Sequence, residues 1–412
     1  MEEQLARNTT TTSEVEEVQQ QQPVLDRRLV WIMAIACAIS VANLYYIQPV
    51  LSEMGRSFHV SGSQVGFIAT LTQLGYALGL LFIIPLGDRY NRRLLIVGML
   101  VVVALALAAT AMASSIPMLA IVSFAVGVTA VVPQLIIPLA ASMAAPHERG
   151  RIVGAVMSGL LIGVLLARTV SGFVGEQWGW RTMYWIAAVL MILLAVLLRL
   201  LLPADRPRST MNYWQLLRSL GDLIREEPVL RETSVYGALT FGAFSAFWVT
   251  LVLFLGTPPY HFGSEVAGLF SLVGVVGASA ATFAGRLSDK IDARRTIGLA
   301  LGIVLLSFVV MWLTGQWLWG LIIGVILLDL GTQANQVSNQ SRVYSLNPEA
   351  RNRLNTIYMV TYFVGGAIGS LLGTYGWSVA GWSGVCGVAC LLMLVALAMY
   401  AINSRKRSYT IV

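Results

Sequence analysis

Apolar runs of twenty or more residues recur along this chain with hardly a charge inside them, and that pattern points to one solvent, the lipid bilayer. A helix rises about 1.5 Å per residue, so about 20 apolar residues cross a hydrocarbon core roughly 30 Å thick. Twelve segments are long enough: 29–51, 65–86, 94–113, 117–144, 152–174, 183–202, 233–255, 265–287, 296–313, 317–346, 353–377 and 383–402. Only 11% of residues are charged, against roughly 25% in soluble domains. Too few polar side chains remain to cover a surface in water. Unpaired backbone groups are costly in lipid, so the expected fold is all-α, with twelve transmembrane helices. Residues 1–28, with TTTT and QQQQ runs, read as a disordered cytoplasmic tail and not a signal peptide.

Placement of the basic residues predicts orientation. With the N-terminus in the cytoplasm, all but three of the 27 Lys and Arg residues fall in cytoplasmic segments or at a cytoplasmic helix end. The exceptions are Arg56 and Arg181 in outer loops and Arg168 inside the fifth span. Lys and Arg concentrate on the cytoplasmic side, so both termini are expected there, in a plasma membrane of bacterial type. The same placement accounts for the net charge of +7 without nucleic acid. Residues 203–232 form a charged linker between two groups of six spans, 29–202 and 233–402, and 403–412 form a second cytoplasmic tail. Within the linker, YWQLLRSLGDLIREE sets Trp214, Leu217, Leu220 and Ile224 at helical spacing, as in an amphipathic helix on a membrane surface.

Several function classes lack their residues. The three histidines lie in predicted loops, and no HExxH or paired metal site occurs, so no metal is expected and an enzyme is not. The three cysteines sit in apolar runs without ligand spacing. No GxxxxGK[ST] loop occurs, so direct use of ATP is not expected. No cofactor is implied.

The two halves repeat at an offset of about 200 residues. PLGDRYNRR (85–93) corresponds to GRLSDKIDARR (285–295), and PHERGR (146–151) to PEARNR (348–353). In the latter register Gln134 falls on Gln336, Gly163 on Gly365 and Ala167 on Gly369. Six spans per half make the repeats parallel. The twelve spans, the basic linker and the two Asp-Arg/Lys loops resemble the major facilitator superfamily over residues 29–402. In its loop signature Asp88, Arg89, Arg92 and Arg93 match the first copy, and Asp289, Lys290, Arg294 and Arg295 the second. Ile84 replaces the leading glycine. The fifth span is similar to the signature of the family's drug:proton antiporters at Gly163, Ala167 and Gly172; Ser171 departs mildly, and Arg168 stands where those antiporters have proline. The resemblance implies two pseudo-symmetric six-helix bundles that rock about a midplane cavity. It implies a secondary transporter, acting as a monomer, that moves a small-molecule substrate across lipid.

Gly159, Gly163, Ala167, Ser171 and Gly175 are spaced by four, as are Thr361, Gly365, Gly369 and Gly373. Such stripes let another helix approach closely, and in this architecture they are expected to pack the interface between halves. Asp88 and Asp289 are expected at the starts of the eleventh and fifth spans, where a helix N-terminus favours a carboxylate. Arg89, Arg92 and Arg351 would be available partners, closing the cytoplasmic side.

Arg168 lies about 25 Å along its helix from Arg151, in the outer half of the membrane, and its side chain leans away from the nearer surface. It needs a cavity, a carboxylate or carbonyls. Two roles stay open: an ion pair with Asp329 or Glu265, or direct binding of an anionic substrate group. Asp329 lies near the midplane of the tenth span, and Gln333, Gln336 and Gln340 follow on its face. Asn335 and Asn339 broaden that stripe. Unsatisfied amides cost several kcal/mol each in hydrocarbon, so the stripe is expected to line a watery cavity. Gln134, Asn43 and Gln48 are further cavity candidates, with Tyr358, Tyr362, Phe241, Phe244 and Trp248 as aromatic walls. Asp329 is the deep acid suited to carry a coupling proton, so a proton gradient is the expected driving force. Efflux of an amphipathic compound fits the antiporter signature. Uptake or facilitated diffusion of an organic anion fits Arg168. A membrane-embedded enzyme or sensor is the remote alternative.

Overall fold

The computed structural model describes residues 26–145, 148–203, 212–288, 293–347 and 350–408. Among these residues every regular element is a helix: α1 Arg27–Ala42, α2 Ile47–Phe58, α3 Gly62–Ile83, α4 Leu86–Arg89, α5 Arg92–Ala111, α6 Ile116–Thr129, α7 Val132–Met143, α8 Arg149–Trp178, α9 Trp180–Leu201, α10 Tyr213–Glu226, α11 Pro228–Leu255, α12 Ser264–Ser288, α13 Ala293–Thr314, α14 Leu318–Tyr344 and α15 Arg351–Ser408.

Local chemistry sets the helix ends. Asn91 caps α5 by accepting from the backbone N–H groups of Arg93 and Leu94, and Ser115 caps α6 by accepting from Met118. Prolines break two spans in mid-membrane. Pro49 and Pro133 have no N–H to donate and would clash four residues back, at Tyr45 and Thr129. The chain therefore turns between α1 and α2 and between α6 and α7. The first turn carries Tyr45 and stands one residue ahead of Gln48.

Among the described residues ten helical stretches are long and apolar enough to cross a membrane. One, Arg351–Ser404, runs for 54 residues, but the backbone leaves the helix at Ala380 and at Gly381, where φ is 55°. Glycine takes that conformation without a Cβ clash, so α15 bends there. Ser264–Gly274 of α12 is a shorter apolar helix. The apolar helices number ten to twelve, according to whether the bent helix counts as two and α12 as one more.

The small-residue stripes pack within each half rather than between halves. Gly159 and Gly163 lie on the backbone of Ala34 and Ala38 in α1, and Gly365, Gly369 and Gly373 on Ala238, Gly242 and Ala246 in α11. Any Cβ at these glycines would meet backbone atoms, which cannot swing aside as a flexible side chain can. Ala167 is buried on the same helix. Gly172 differs: it lies against Ser264 and Gly268 of α12, in the other half. The expectation of an interface between halves thus fails for five of the six stripe glycines and alanine named as interface residues, because a close glycine contact serves whichever helix is next to it.

The linker forms the expected helix, α10, with a capping box between Asn212 and Gln215. Leu216 and Leu220 are buried, while Trp214 is 72% exposed.

Candidate functional site

A cavity of about 470 Å³ enters the molecule at the end that carries the linker helix and the arginine-rich loops. That volume lies in the range of small-molecule sites, about 300–1,000 Å³. Its wall is mostly apolar, with Leu135, Met157, Leu160 and Met359, and Leu216 and Leu220 of α10 complete it. Four glutamines break that surface, Gln134 from α7 and Gln333, Gln336 and Gln340 from α14, with Asn352 and Asn355 of α15 beside them. The spacing of three to four residues that marked the stripe puts these three glutamines on one face of α14.

Two predicted cavity residues turn elsewhere. Asn339 is fully buried and donates to Asn335, which in turn donates to Thr240 of α11 at 2.8 Å. These asparagines join α14 to α11 instead of facing the cavity. Asn43 donates to the carbonyl of Ser40 at 3.1 Å and toward the sulfur of Met191 in α9 at 3.2 Å. The turn that separates α1 from α2 directs it away from the cavity.

Contacts between halves close the molecule beyond the cavity. Gln73 of α3 donates to Ser370 of α15 at 3.0 Å and accepts from Ser245 of α11 at 3.3 Å. Tyr76 meets Phe363 edge-on across the halves at 4.4 Å, and within the C-terminal half Phe241 stacks on Tyr362 at 4.0 Å. Edge-on and offset aromatic pairs of this kind add to simple burial.

Arg168 is 1% exposed. Its Nε donates to Oε1 of Gln48 at 2.6 Å. The guanidinium lies 4.1 Å from the ring centre of Trp248 and 4.8 Å from that of Tyr45, so the charge is met by ring faces. Phe244 stands farther off at 5.7 Å. Neither expected ion pair forms. Asp329 is close enough to interact electrostatically, but no bridge within 4.0 Å joins Arg168 to Asp329 or Glu265 among the described residues. Asp329 is buried, its carboxylate set against Gly274 of α12. Neither Arg168 nor Asp329 lines the cavity.

At the far end the halves meet at Ser264, the first residue of α12. Its hydroxyl approaches Glu53 of α2 closely, Glu176 of α8 at 2.9 Å and the carbonyl of Gly172 at 3.2 Å. Its backbone N–H donates to Glu176 at 2.9 Å. Nearby, Thr169 of α8 and Ser271 of α12 share a hydrogen bond at 2.9 Å. Sequence reading overlooked Gln73, Glu53, Glu176 and Ser264. Gln73 carried a signal, being a lone amide inside an apolar span. The two glutamates looked like ordinary loop-proximal acids.

The basic end is open at the cavity mouth, where Arg92 and Arg351 stand. Arg351 lines the cavity and donates to the carbonyl of Tyr344 at 3.1 Å. Arg92 also lines it and donates to the carbonyl of Gly87 at 2.9 Å. Arg89 donates to Asn212 of the linker at 2.6 Å. Arg294 pairs with Glu232 at 3.4 Å inside its own half. The side chain of Asp88, and the whole of Asp289 and Lys290, lie outside the described residues. A chain closed at its far end by three layers of contact must leave this end apart if its cavity is to be reached.

The sequence profile of the Major Facilitator Superfamily matches residues 33–332 and 261–410. The chain belongs to the Major Facilitator Superfamily. Within that superfamily it is 42% identical over 376 residues to the uncharacterized transporter YgaY of Escherichia coli O157:H7, covering 91% of this chain and 95% of that one. A 3-(3-hydroxy-phenyl)propionate transporter of Escherichia coli K12 is 34% identical over 152 residues, 36% of this chain and 37% of that one. Among solved structures, a bacterial homolog of the human lysosomal transporter Spinster, inward-facing and unoccupied, superimposes with a TM-score of 0.72 at 16% identity, over 92% and 96% of the two chains. That likeness concerns the fold. As a superfamily member the chain is a multi-pass membrane protein and a secondary transporter of a small molecule, not an enzyme.

Proposed function

We propose that the chain is a proton-driven antiporter that exports a small amphipathic compound by alternating access, as a monomer of two six-helix bundles with twelve spans. The observation that carries this reading is the cavity: open at one end only, mostly apolar, with four glutamine amides that can hold the polar part of a solute. The end where it opens bears the basic loops, so the positive-inside rule turns it toward the cytoplasm, with both termini there, in a bacterial plasma membrane. Solute then loads from the cytoplasm and leaves when the contacts beyond the cavity part. Asp329 is the proton carrier in this scheme, a carboxyl buried against Gly274 of α12 that rocking of the halves re-exposes. The test is flux in sealed vesicles under an imposed pH gradient, with a panel of fluorescent amphipathic compounds. Asp329→Asn is expected to abolish gradient-driven accumulation while sparing exchange of solute down its own gradient. Accumulation that survives the substitution removes Asp329 from the scheme.

One observation favours a second reading, uptake of an organic anion. Among the described residues no carboxylate pairs with the guanidinium of Arg168, and the partial relative carries 3-(3-hydroxy-phenyl)propionate by its name. Net inward flux of an organic acid, with no export of neutral compounds, would select it.

A further inference from the structure

Three buried polar atoms above the cavity have no hydrogen-bond partner: Nη2 of Arg168, Nε1 of Trp248 and Oδ2 of Asp329. Buried donors are satisfied in the great majority of cases, and an orphan costs stability. Two orphan donors occur together here, for the guanidinium lies on the ring of Trp248. We propose that Arg168 and Trp248 form a seat for the anionic group of the transported solute, and that the solute is an organic acid with one carboxylate on an aromatic or apolar body. The proposal rests on the transport reading but not on its direction.

The neighbours of Arg168 fix the guanidinium and leave Nη2 without a partner. Gln48 holds Nε, and the faces of Tyr45 and Trp248 hold the plane. A planar fork held this way meets a carboxylate with two parallel bonds, which an ammonium cannot do. The indole N–H supplies a further donor, and no protein acid takes the place of the ligand. Asp329, the one acid that acts on this charge from α14, stays beyond bridging distance. A void of about 10 Å³ touches Arg168, Gln48 and Trp248. It is far too small for a carboxylate, so the seat is collapsed in this conformation. The seam that would widen it is adjacent: Thr169, next to Arg168 in sequence, bonds to Ser271 across the halves. The cavity wall is mostly apolar, which suits an aromatic or apolar body. The same arginine is thus covered while the far end is closed and uncovered when it parts.

The experiment uses the full chain in lipid nanodiscs with 3-phenylpropionate and its uncharged counterpart 3-phenylpropionamide, each titrated calorimetrically. The acid is expected to bind at least about tenfold more tightly than the amide. Arg168→Gln should erase that preference, Arg168→Lys should reduce it, and Trp248→Phe, which keeps an aromatic ring without the N–H, should weaken the acid alone. Unliganded Arg168→Gln is expected to melt no lower than the unsubstituted chain, because the orphan Nη2 goes with the charge. Equal binding of acid and amide, binding of neither, or an acid preference that survives both Arg168→Gln and Trp248→Phe would overturn the seat. So would a lowered melting point with the preference unchanged, which marks Arg168 as a structural pin between α2, α8 and α11. If Arg168→Gln does not fold, Trp248→Phe decides alone. Gradient-driven flux of neutral compounds with no acid preference overturns the seat and leaves the transport reading. Acid binding without flux of any compound overturns the transport reading and leaves the seat.

Discussion

Ser264→Ala should open the far end of this transporter. Ser264 is fully buried, and its hydroxyl faces Glu53, Glu176 and the carbonyl of Gly172. All three belong to the N-terminal half, so every bond of this hydroxyl crosses the seam. One hydroxyl donates one hydrogen at a time, and a bond to a carboxylate contributes about 1.5–3 kcal/mol. The backbone N–H bond to Glu176 at 2.9 Å survives the substitution. The closed far end should therefore weaken by about 1.5–3 kcal/mol, which is roughly a ten- to hundredfold shift toward opening. Glu53→Gln should act the other way. Two carboxylates converge on one serine, and like charges at such range repel, so removing one charge favours closure. The assay is labelling of a cysteine placed at Ala267, which is 4% exposed in α12, by a membrane-impermeant maleimide added from the far side. The three native cysteines, all buried, would be replaced by alanine. The expected order of rates is Ser264→Ala above the unsubstituted background, and Glu53→Gln below it. Equal rates in all three, or both variants moving in one direction, would refute the latch.

The glycine contacts give a paired outcome. Gly163→Val forces a side chain onto the backbone of Ala38 within one half and should lower the melting temperature by an overpacking cost of about 1–3 kcal/mol, with far-end labelling unchanged. Gly172→Val meets Ser264 across the seam and should raise labelling instead. Asn212→Ala removes both the cap of α10 and the acceptor for Arg89, so α10 should loosen by about 1 kcal/mol, read as faster proteolysis in the linker.

The sequence by itself determined the solvent, the element type and one face of the site. Hydrocarbon cannot satisfy a peptide group, so long uncharged runs had to become helices, and the period of 3.6 residues then set Gln333, Gln336 and Gln340 on one face of α14. The burial of Arg168 was legible for the same reason: a lone cation in an apolar run has no route to water. Its partners were not. Gln48 is 120 positions away, and Trp248 lies on a helix of the other half, so no local pattern joins them. A turn ahead of Pro49 decides where Asn43 and Tyr45 point, and the sequence marks the break without its angle. Asn339 shows the same limit, since a broad polar stripe does not say which of its edges meets a neighbouring helix. Gly163 and Gly365 announce close approach, but α1 and α11 take those places only through the packing of whole helices. Closure at Ser264 and opening at Arg351 are states of the assembled halves. They depend on contacts that form or part together, which tertiary structure alone selects.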